Sequence, residues 1–194
     1  MLMKVIESSM VLMRKKLILW TGRKHSGKTT GAARLVRIVR NEGFDTAGLL
    51  AEALYHDGRL IGFDAIDLQT ENRAPLARRR SDGGESVPFD FIAEGVELGR
   101  NALSTAATES TDLIVVDEFG PLEMNSQGWR TDVDLLVRTS ESLILLVVRE
   151  ELAGQVQHLY SNVASLMLCA AEAESVEKVM SELRGRRRIR QAVR

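Results

Sequence analysis

The 194-residue sequence predicts an α/β protein, a three-layer sandwich whose central sheet is mostly parallel and carries one added antiparallel hairpin. Apolar runs rich in Val, Ile and Leu recur along the chain, and helix-like patterns separate them. Strands that are apolar on both faces belong to parallel sheets that helices cover on both sides. An Asp-Gly pair divides residues 53–68, and this dipeptide tolerates the positive φ angles that a tight hairpin needs.

Five apolar runs predict the parallel strands. They are residues 16–21, 44–50, 112–117, 142–148 and 164–169. After the first run, helical spacing places Ala32, Leu35, Val36 and Val39 on one face, and Gly43 provides the stop signal. Two further helical patterns are residues 149–160 and 175–183. The alternation of strands and helices therefore extends to the last part of the sequence.

The length fits one domain that can bury a core, with a short segment on either side. We predict a flexible extension at residues 1–13, the domain at residues 14–184 and a basic tail at residues 185–194. The final segment, RGRRRIRQAVR, is predicted to be solvated and partly disordered. The alternative is a contact with nucleic acid or another anionic surface. Residues 78–86 are predicted to form a flexible loop.

The composition argues against several classes of function. The formal net charge is −1, so no global positive field favours nucleic acid or an anionic membrane as a partner. The single cysteine, Cys169, cannot form a disulfide within the chain, and we predict an inert core thiol. The three histidines lack the spacing of a zinc site. Residues 1–13 are too short to span a bilayer, and we predict a cytoplasmic protein with no membrane partner.

A phosphate-binding loop (P-loop) is predicted where the first strand meets the first helix. Residues 22–29, GRKHSGKT, match the pattern G-x-x-x-x-G-K-[ST] without a mismatch. The glycines let successive N–H groups point at phosphate oxygens, and the helix adds its N-terminal dipole. Lys28 can reach the β- and γ-phosphates, and the Thr29 hydroxyl can ligate Mg²⁺. The predicted nucleotide-binding residues are Gly22, Arg23, Lys24, His25, Ser26, Gly27, Lys28, Thr29 and Thr30.

A second group of candidate residues follows the apolar run at residues 112–117. Asp117 ends that strand, at the sheet edge where ligands of open α/β sheets collect, and is predicted to hold magnesium. Glu118 can orient or deprotonate an attacking water, or it can bind an acceptor substrate. The Gly120 N–H is placed where it could sense a γ-phosphate. For Glu123 a surface or helix-capping role stands beside a catalytic one.

Arginines can stabilise charge that develops on a transferred phosphoryl group. Arg78 lies in the predicted loop and Arg149 at the end of a predicted strand, and each is a candidate, with an ordinary surface role as the alternative. Trp20 and Trp129 are predicted to pack rather than to stack on a base. The Asn-Lys-x-Asp signature that reads guanine is absent, which argues against a signalling-type GTPase.

The motifs TGRKHSGKTT, GRLIGFDAIDL followed by APLARR, and VVDEFGPLEM resemble those of the thermophilic nucleoside triphosphate phosphohydrolases, whose relatives include the cancer-related nucleoside-triphosphatase. The resemblance covers about residues 15–184. It implies a RecA-like P-loop NTPase fold and Mg²⁺-dependent hydrolysis of nucleoside triphosphates with broad base tolerance. By the same resemblance, Asp117 matches the magnesium position, Glu118 the general base and Arg78 the arginine of a PL-[SA]-R segment.

Three functions remain open at this point. The leading hypothesis is hydrolysis of nucleoside triphosphates, in which Lys28 and Mg²⁺ neutralise phosphate charge and Glu118 orients water. The second is a nucleotide or small-molecule kinase that uses the same loop and an acceptor pocket. The third is a nucleotide-dependent adaptor or switch that turns nucleotide over rarely.

Overall fold

A computed structural model describes residues 16–80 and 89–192 as an eight-stranded sheet with helices on both faces. The strands are β1 (Leu17–Gly22), β2 (Thr46–His56), β3 (Arg59–Asp67), β4 (Arg73–Arg79), β5 (Phe89–Phe91), β6 (Leu113–Phe119), β7 (Leu143–Arg149) and β8 (Ser165–Cys169). The helices are α1 (Lys28–Asn41), α2 (Ala93–Thr108), α3 (Pro121–Met124), α4 (Arg130–Thr139), α5 (Glu150–Leu159) and α6 (Ala173–Ala192).

The strand order across the sheet is β5-β4-β3-β2-β6-β7-β1-β8. Five adjacent strands, β2, β6, β7, β1 and β8, are parallel. Strands β3, β4 and β5 add an antiparallel extension beside β2. The predicted α/β architecture with a mostly parallel sheet is therefore confirmed. The predicted hairpin is also confirmed, and it is part of a larger antiparallel unit than expected. Strand β7 separates β1, which leads into the phosphate loop, from β6, which carries the candidate acids.

Several element boundaries differ from those predicted. Strand β2 is one long strand that joins the predicted strand at residues 44–50 to the first arm of the hairpin. The turn lies at Asp57-Gly58 as predicted, with φ angles of 48° and 73°. Arg78 and Arg79 lie in β4 rather than in a loop, because β4 pairs with both β3 and β5. The rest of that predicted loop from residue 81, and the predicted extension at residues 1–13, lie outside the described residues.

Two apolar clusters form the core, one on each face of the sheet. Helices α1 and α6 cover one face of the sheet, and the cluster between them and the sheet contains Trp20. The side of α1 that was predicted to face the core lies in this cluster, and it buries Ala32, Leu35, Val36 and Val39. The other face is covered by α2, α4 and α5 and includes Trp129. Both tryptophans therefore pack in the core, as predicted. Cys169 is partly exposed at the end of β8, so it is not the core thiol that the sequence suggested.

The last helix is longer than predicted. It continues past Leu183 to Ala192, so the prediction of a solvated, partly disordered tail is wrong for residues 185–192. The physical reason is a set of acceptors at the amino-terminal edge of the sheet: Arg184 binds Glu42 at 2.6 Å, and Arg190 binds Asp112 at 3.0 Å. The guanidinium of Arg187 lies 3.5 Å from the ring centroid of Phe44. These arginines attach the helix to the domain.

Within residues 16–80 and 89–192, no helix combines the length and the apolar character that crossing a bilayer requires.

Candidate active site

The phosphate loop lies between β1 and α1, where the sequence predicts it. Gly27 precedes the first residue of α1 with φ 81°, in the left-handed region that glycine adopts without strain. At Gly22 a Cβ atom would lie 2.6 Å from Ser26 Oγ and 3.2 Å from Lys28 Cγ, so a side chain here would have to displace those of Ser26 and Lys28. Residues 23–27 between them are exposed to solvent. The loop is therefore tightly curled and accessible, as a phosphate cradle must be.

Lys28 is buried, and its side chain folds back over the loop. Its Nζ donates to the Arg23 carbonyl oxygen at 3.0 Å, so the ammonium group lies within the curl of the loop. The first residue of α1 is also bonded to β1, because Trp20 Nε1 donates a hydrogen bond to the Lys28 carbonyl oxygen at 3.2 Å. A buried indole thus sets the position of the lysine relative to the sheet.

Asp117 is buried beside the first turn of α1. Its carboxylate accepts hydrogen bonds from the Thr29 hydroxyl and from the Ala51 N–H, the latter at 3.2 Å. Burial raises the pKa of Asp117 to about 7, because desolvation disfavours the charged form more than these hydrogen bonds and the Lys28 charge favour it. The neighbouring Glu118 charge raises it further. The structure therefore brings together Lys28, Thr29 and Asp117 from two separate segments.

The oxygen atoms of Thr29 and Asp117 fit a magnesium ion that completes its coordination with phosphate oxygens and water. Among the residues that the structure describes, no group of three or more His, Cys, Asp or Glu side chains forms a metal cage. A site of one carboxylate and one hydroxyl is consistent with Mg²⁺, which is usually held by few protein ligands and by the substrate.

Glu118 lies at an irregularity in β6, between Asp117 and Phe119, both of which pair with β7. Its Oε1 accepts a hydrogen bond from Arg149 Nε at 2.6 Å. Arg149 ends β7, and its Cα partner across the sheet is Gly22, the first residue of the phosphate loop. Arg149 thus lies between the phosphate loop and Glu118. The sequence identified both residues, but nothing in it indicated that they form a pair.

Glu123 is buried and caps α3. Its carboxylate accepts from the Gly120 N–H at 2.8 Å and from the Trp129 N–H at 3.0 Å. Burial raises the pKa of Glu123, and these backbone hydrogen bonds oppose the rise. The helix-capping alternative for Glu123 is therefore the correct one. The prediction that the Gly120 N–H senses a γ-phosphate is wrong in this structure, because that N–H already donates a hydrogen bond to Glu123.

Arg78 is bound within the antiparallel extension. Its guanidinium donates to Asp64 at 2.7 Å and to the carbonyl oxygens of Phe63 and Ala77 at 2.8 and 2.9 Å. The structure gives this arginine a role in joining β3 to β4. Sequence reasoning also missed the hydrogen bond from the Ala51 N–H to Asp117, since a backbone donor leaves no signature in the residue pattern.

Comparison with known proteins gives a consistent result. The sequence model of a family described as NTPase matches residues 17–181. The nucleoside-triphosphatase THEP1 of Thermococcus kodakarensis is 32% identical over 172 residues, which are 85% of this chain and 94% of that protein. That of Methanothermobacter thermautotrophicus is 33% identical over 137 residues, 70% of this chain and 78% of that protein. That of Methanopyrus kandleri is 29% identical over 125 residues, 64% and 67% of the two chains.

Two solved structures share the fold. The solution structure of a human cancer-related nucleoside triphosphatase has a TM-score of 0.64 and 20% identity, covering 87% of this chain and 94% of that one. The crystal structure of THEP1 from Aquifex aeolicus has a TM-score of 0.65 and 19% identity, covering 87% and 98%. At these identities the structural likeness describes the architecture alone.

Proposed function

The chain belongs to the NTPase family, and from that premise we propose that it is an enzyme that hydrolyses nucleoside 5′-triphosphates, ATP and GTP among them, to nucleoside diphosphate and phosphate. One observation carries the proposal. Glu118, a carboxylate that is partly open to solvent, directly follows the buried Asp117 at the sheet edge that holds the phosphate loop. A base beside bound phosphates can act on water. The relatives' name, nucleoside-triphosphatase, supports the same reaction.

The phosphate loop binds the β- and γ-phosphates in this proposal. Backbone N–H groups of residues 23–27 and the amino end of α1 favour negative charge at the same point. Lys28 adds a formal positive charge inside the loop, already oriented by the Arg23 carbonyl. When phosphate enters, the ammonium group exchanges that neutral acceptor for a charged one, which forms a stronger hydrogen bond.

Thr29 and Asp117 would hold Mg²⁺. The ion, when bound, neutralises charge on the β- and γ-phosphates and so favours phosphoryl transfer to water. The protein's own part is to supply one hydroxyl and one carboxylate from a buried position. Burial raises the pKa of Asp117 to about 7 and so disfavours its ionised form. A divalent cation beside the carboxylate would act in the opposite direction and favour the ionised form, which is the form that binds the cation.

Glu118 orients the attacking water and accepts its proton. Of the two candidate arginines, the geometry favours Arg149 for a role beside the transferred phosphoryl group, because it contacts Glu118 and lies beside Gly22. Arg78 is bound to Asp64 in the extension. A cytoplasmic location and a nucleoside triphosphate as the main partner complete the proposal.

The test is phosphate release from ATP, GTP, CTP and UTP with Mg²⁺ and no added acceptor. Glu118→Gln should lower kcat by about 100-fold or more and retain nucleotide binding, since loss of a general base typically has that effect. Lys28→Ala should weaken nucleotide binding. Glu94→Gln, an exposed acid in the first turn of α2, is the control and should release phosphate like the parent.

Release by Glu118→Gln at the parent's rate would contradict the role of Glu118, and release by the parent no faster than by Lys28→Ala would contradict the hydrolase. Tight binding without release would instead favour one of the two alternatives. A kinase would turn nucleotide over only when an acceptor is added. An adaptor or switch would change a partner's affinity in the triphosphate-bound state.

A further inference from the structure

We propose that Arg149 makes the site selective for nucleoside triphosphate over nucleoside diphosphate, by exchanging its ion pair with Glu118 for one with the γ-phosphate. The inference rests on the nucleotide-binding part of the function proposed above and adds a residue that distinguishes substrate from product. It also assigns a second effect to the same exchange, because Glu118 becomes free to bind water only when a γ-phosphate is present.

The placement of Arg149 follows from the strand order. Strand β7 lies between β1 and β6, so its carboxyl end lies between the phosphate loop and the two acids. In register, Arg149 is the Cα partner of Gly22, and its side chain reaches Glu118 on the opposite side. A guanidinium at this position is bonded to the Glu118 carboxylate and lies beside the loop at which the terminal phosphate would bind.

The ion pair with Glu118 is of a kind that can be exchanged. The side chains of Arg149 and Glu118 are 28% and 32% exposed, and ion pairs that water reaches contribute little net stability. The contact uses Nε, one of several N–H donors that a guanidinium presents in a fixed fork. Phosphate accepts two parallel hydrogen bonds from such a fork, and bonds of this type are shorter and stronger than neutral ones. A γ-phosphate is therefore a competitive partner for Arg149.

The surrounding charges favour the exchange when triphosphate is bound. Asp117 and Glu118 are consecutive acids, so a γ-phosphate that arrives beside them meets repulsion unless a cation is shared. Glu150 follows Arg149 in the chain, but its carboxylate faces Arg23 at 3.7 Å, on an exposed part of the loop. Nucleoside diphosphate lacks the competing group, so Arg149 keeps Glu118 as its partner. Diphosphate therefore gains nothing from the arginine.

A purely structural role makes a different prediction. If Arg149 only joins the ends of β6 and β7, its removal lowers stability and weakens both nucleotides alike. If it acts only by holding Glu118, then Arg149→Gln and Glu118→Gln change nucleotide selectivity in the same direction. The exchange predicts opposite directions, because Glu118 competes with the γ-phosphate for the arginine.

The experiment measures the affinities of the full chain for ADP and for the non-hydrolysable β,γ-imido analogue of ATP, both with Mg²⁺, by titration calorimetry. Arg149→Gln should weaken the triphosphate analogue by about tenfold or more, the size of a lost hydrogen bond between charged groups, and ADP by about twofold at most. Glu118→Gln should make the preference for triphosphate larger, because the arginine then has no carboxylate partner to give up. Arg138→Gln, an exposed arginine on α4, is the matched control and should behave as the parent.

A second measurement is made on the parent chain and uses a conservative variant only to assign the signal. The ¹⁵Nε–H resonance of Arg149 in the parent chain, assigned by its loss in Arg149→Lys, should move on addition of the triphosphate analogue and stay in place with ADP. An unchanged resonance with both nucleotides, or equal losses of affinity for both in Arg149→Gln, would overturn the proposal. Phosphate release by the parent chain tests the hydrolase separately, since neither readout here requires turnover.

Discussion

Replacing Asp117 with asparagine should stabilise the nucleotide-free protein while it removes the proposed magnesium ligand. The carboxylate is fully buried, and its ionised form is held by the Thr29 hydroxyl, the Ala51 N–H and the charge of Lys28. Burial outweighs these contacts and raises the pKa of Asp117 from 3.8 to about 7. An asparagine can accept from the same backbone N–H and has no charge to desolvate. The gain in stability should therefore depend on pH.

The sign follows from proton linkage. A carboxyl whose pKa is higher in the folded than in the unfolded state binds protons more strongly when folded, so its contribution to stability is full below pH 4 and is lost as pH rises to about 7. The difference of about 3 pKa units, at about 1.4 kcal/mol each, corresponds to a loss of about 4 kcal/mol above pH 7. Roughly 2–3 kcal/mol of this falls between pH 5 and pH 8.

The assay is urea unfolding of the parent and of Asp117→Asn at pH 5 and pH 8, without nucleotide and with EDTA present. The stability advantage of the variant should be larger at pH 8 than at pH 5 by about 2–3 kcal/mol. Asp45→Asn, at an exposed position just before β2, is the control, and its difference from the parent should be the same at both pH values. An Asp117→Asn advantage that does not change with pH, or that falls at pH 8, refutes the reasoning.

Three further predictions concern stability and are checked by urea unfolding. Glu123→Ala should lower the free energy of unfolding by about 2–4 kcal/mol, because two buried N–H groups lose their acceptor, and Glu123→Gln should lose less; equal losses would contradict the capping role. Gly99→Ala should lower the free energy of unfolding by about 1–3 kcal/mol, since the added Cβ would lie 2.5 Å from the Trp129 ring. Gly154→Ala is the matched control in another helix. It should raise the free energy of unfolding by about 0.5–1 kcal/mol, because the space around Gly154 is open. Ending the chain after Arg184 should cost about 1–2 kcal/mol through the lost contacts of α6, and an unchanged stability would show that the helix end is not attached.

The sequence predicted those elements whose cause is local. Helix α1 follows from its spacing of apolar residues, and the phosphate loop from glycines that must curl the backbone at fixed positions. The buried strands follow from continuous Val, Ile and Leu runs. The turn at Asp57-Gly58 follows from the positive φ that these two residues accept. In each case the information lies within a few residues of the feature that it determines.

Other elements depend on distant neighbours and were not predicted. Helix α2 contains Gly95 and Gly99, which lower helix propensity, and both are needed because Leu76 and Trp129 approach the helix closely. Strand β4 contains a proline and three arginines, a composition that does not resemble a strand until β3 and β5 pair with it.

Within the site, the residue types were predictable and their pairings were not. Arg149 and Glu118 are 31 positions apart, and their contact exists because β7 lies beside β6. The Gly120 N–H was assigned to phosphate because the sequence does not show that Glu123 turns back to accept it. The sequence predicts a solvated tail at the charged end of α6, because the acceptors that bind its arginines, Glu42 and Asp112, are more than 70 residues away in the chain.

The position of β1 between β7 and β8 has a consequence for how the protein is made. The phosphate loop is among the first described parts to leave the ribosome, yet both strands that flank β1 come from the last third of the sequence. Pairing over such separations is slow and leaves an apolar strand uncovered during synthesis. We expect a nascent chain to have no affinity for nucleotide until β8 and α6 have emerged. Nucleotide capture then marks the completion of the sheet around β1.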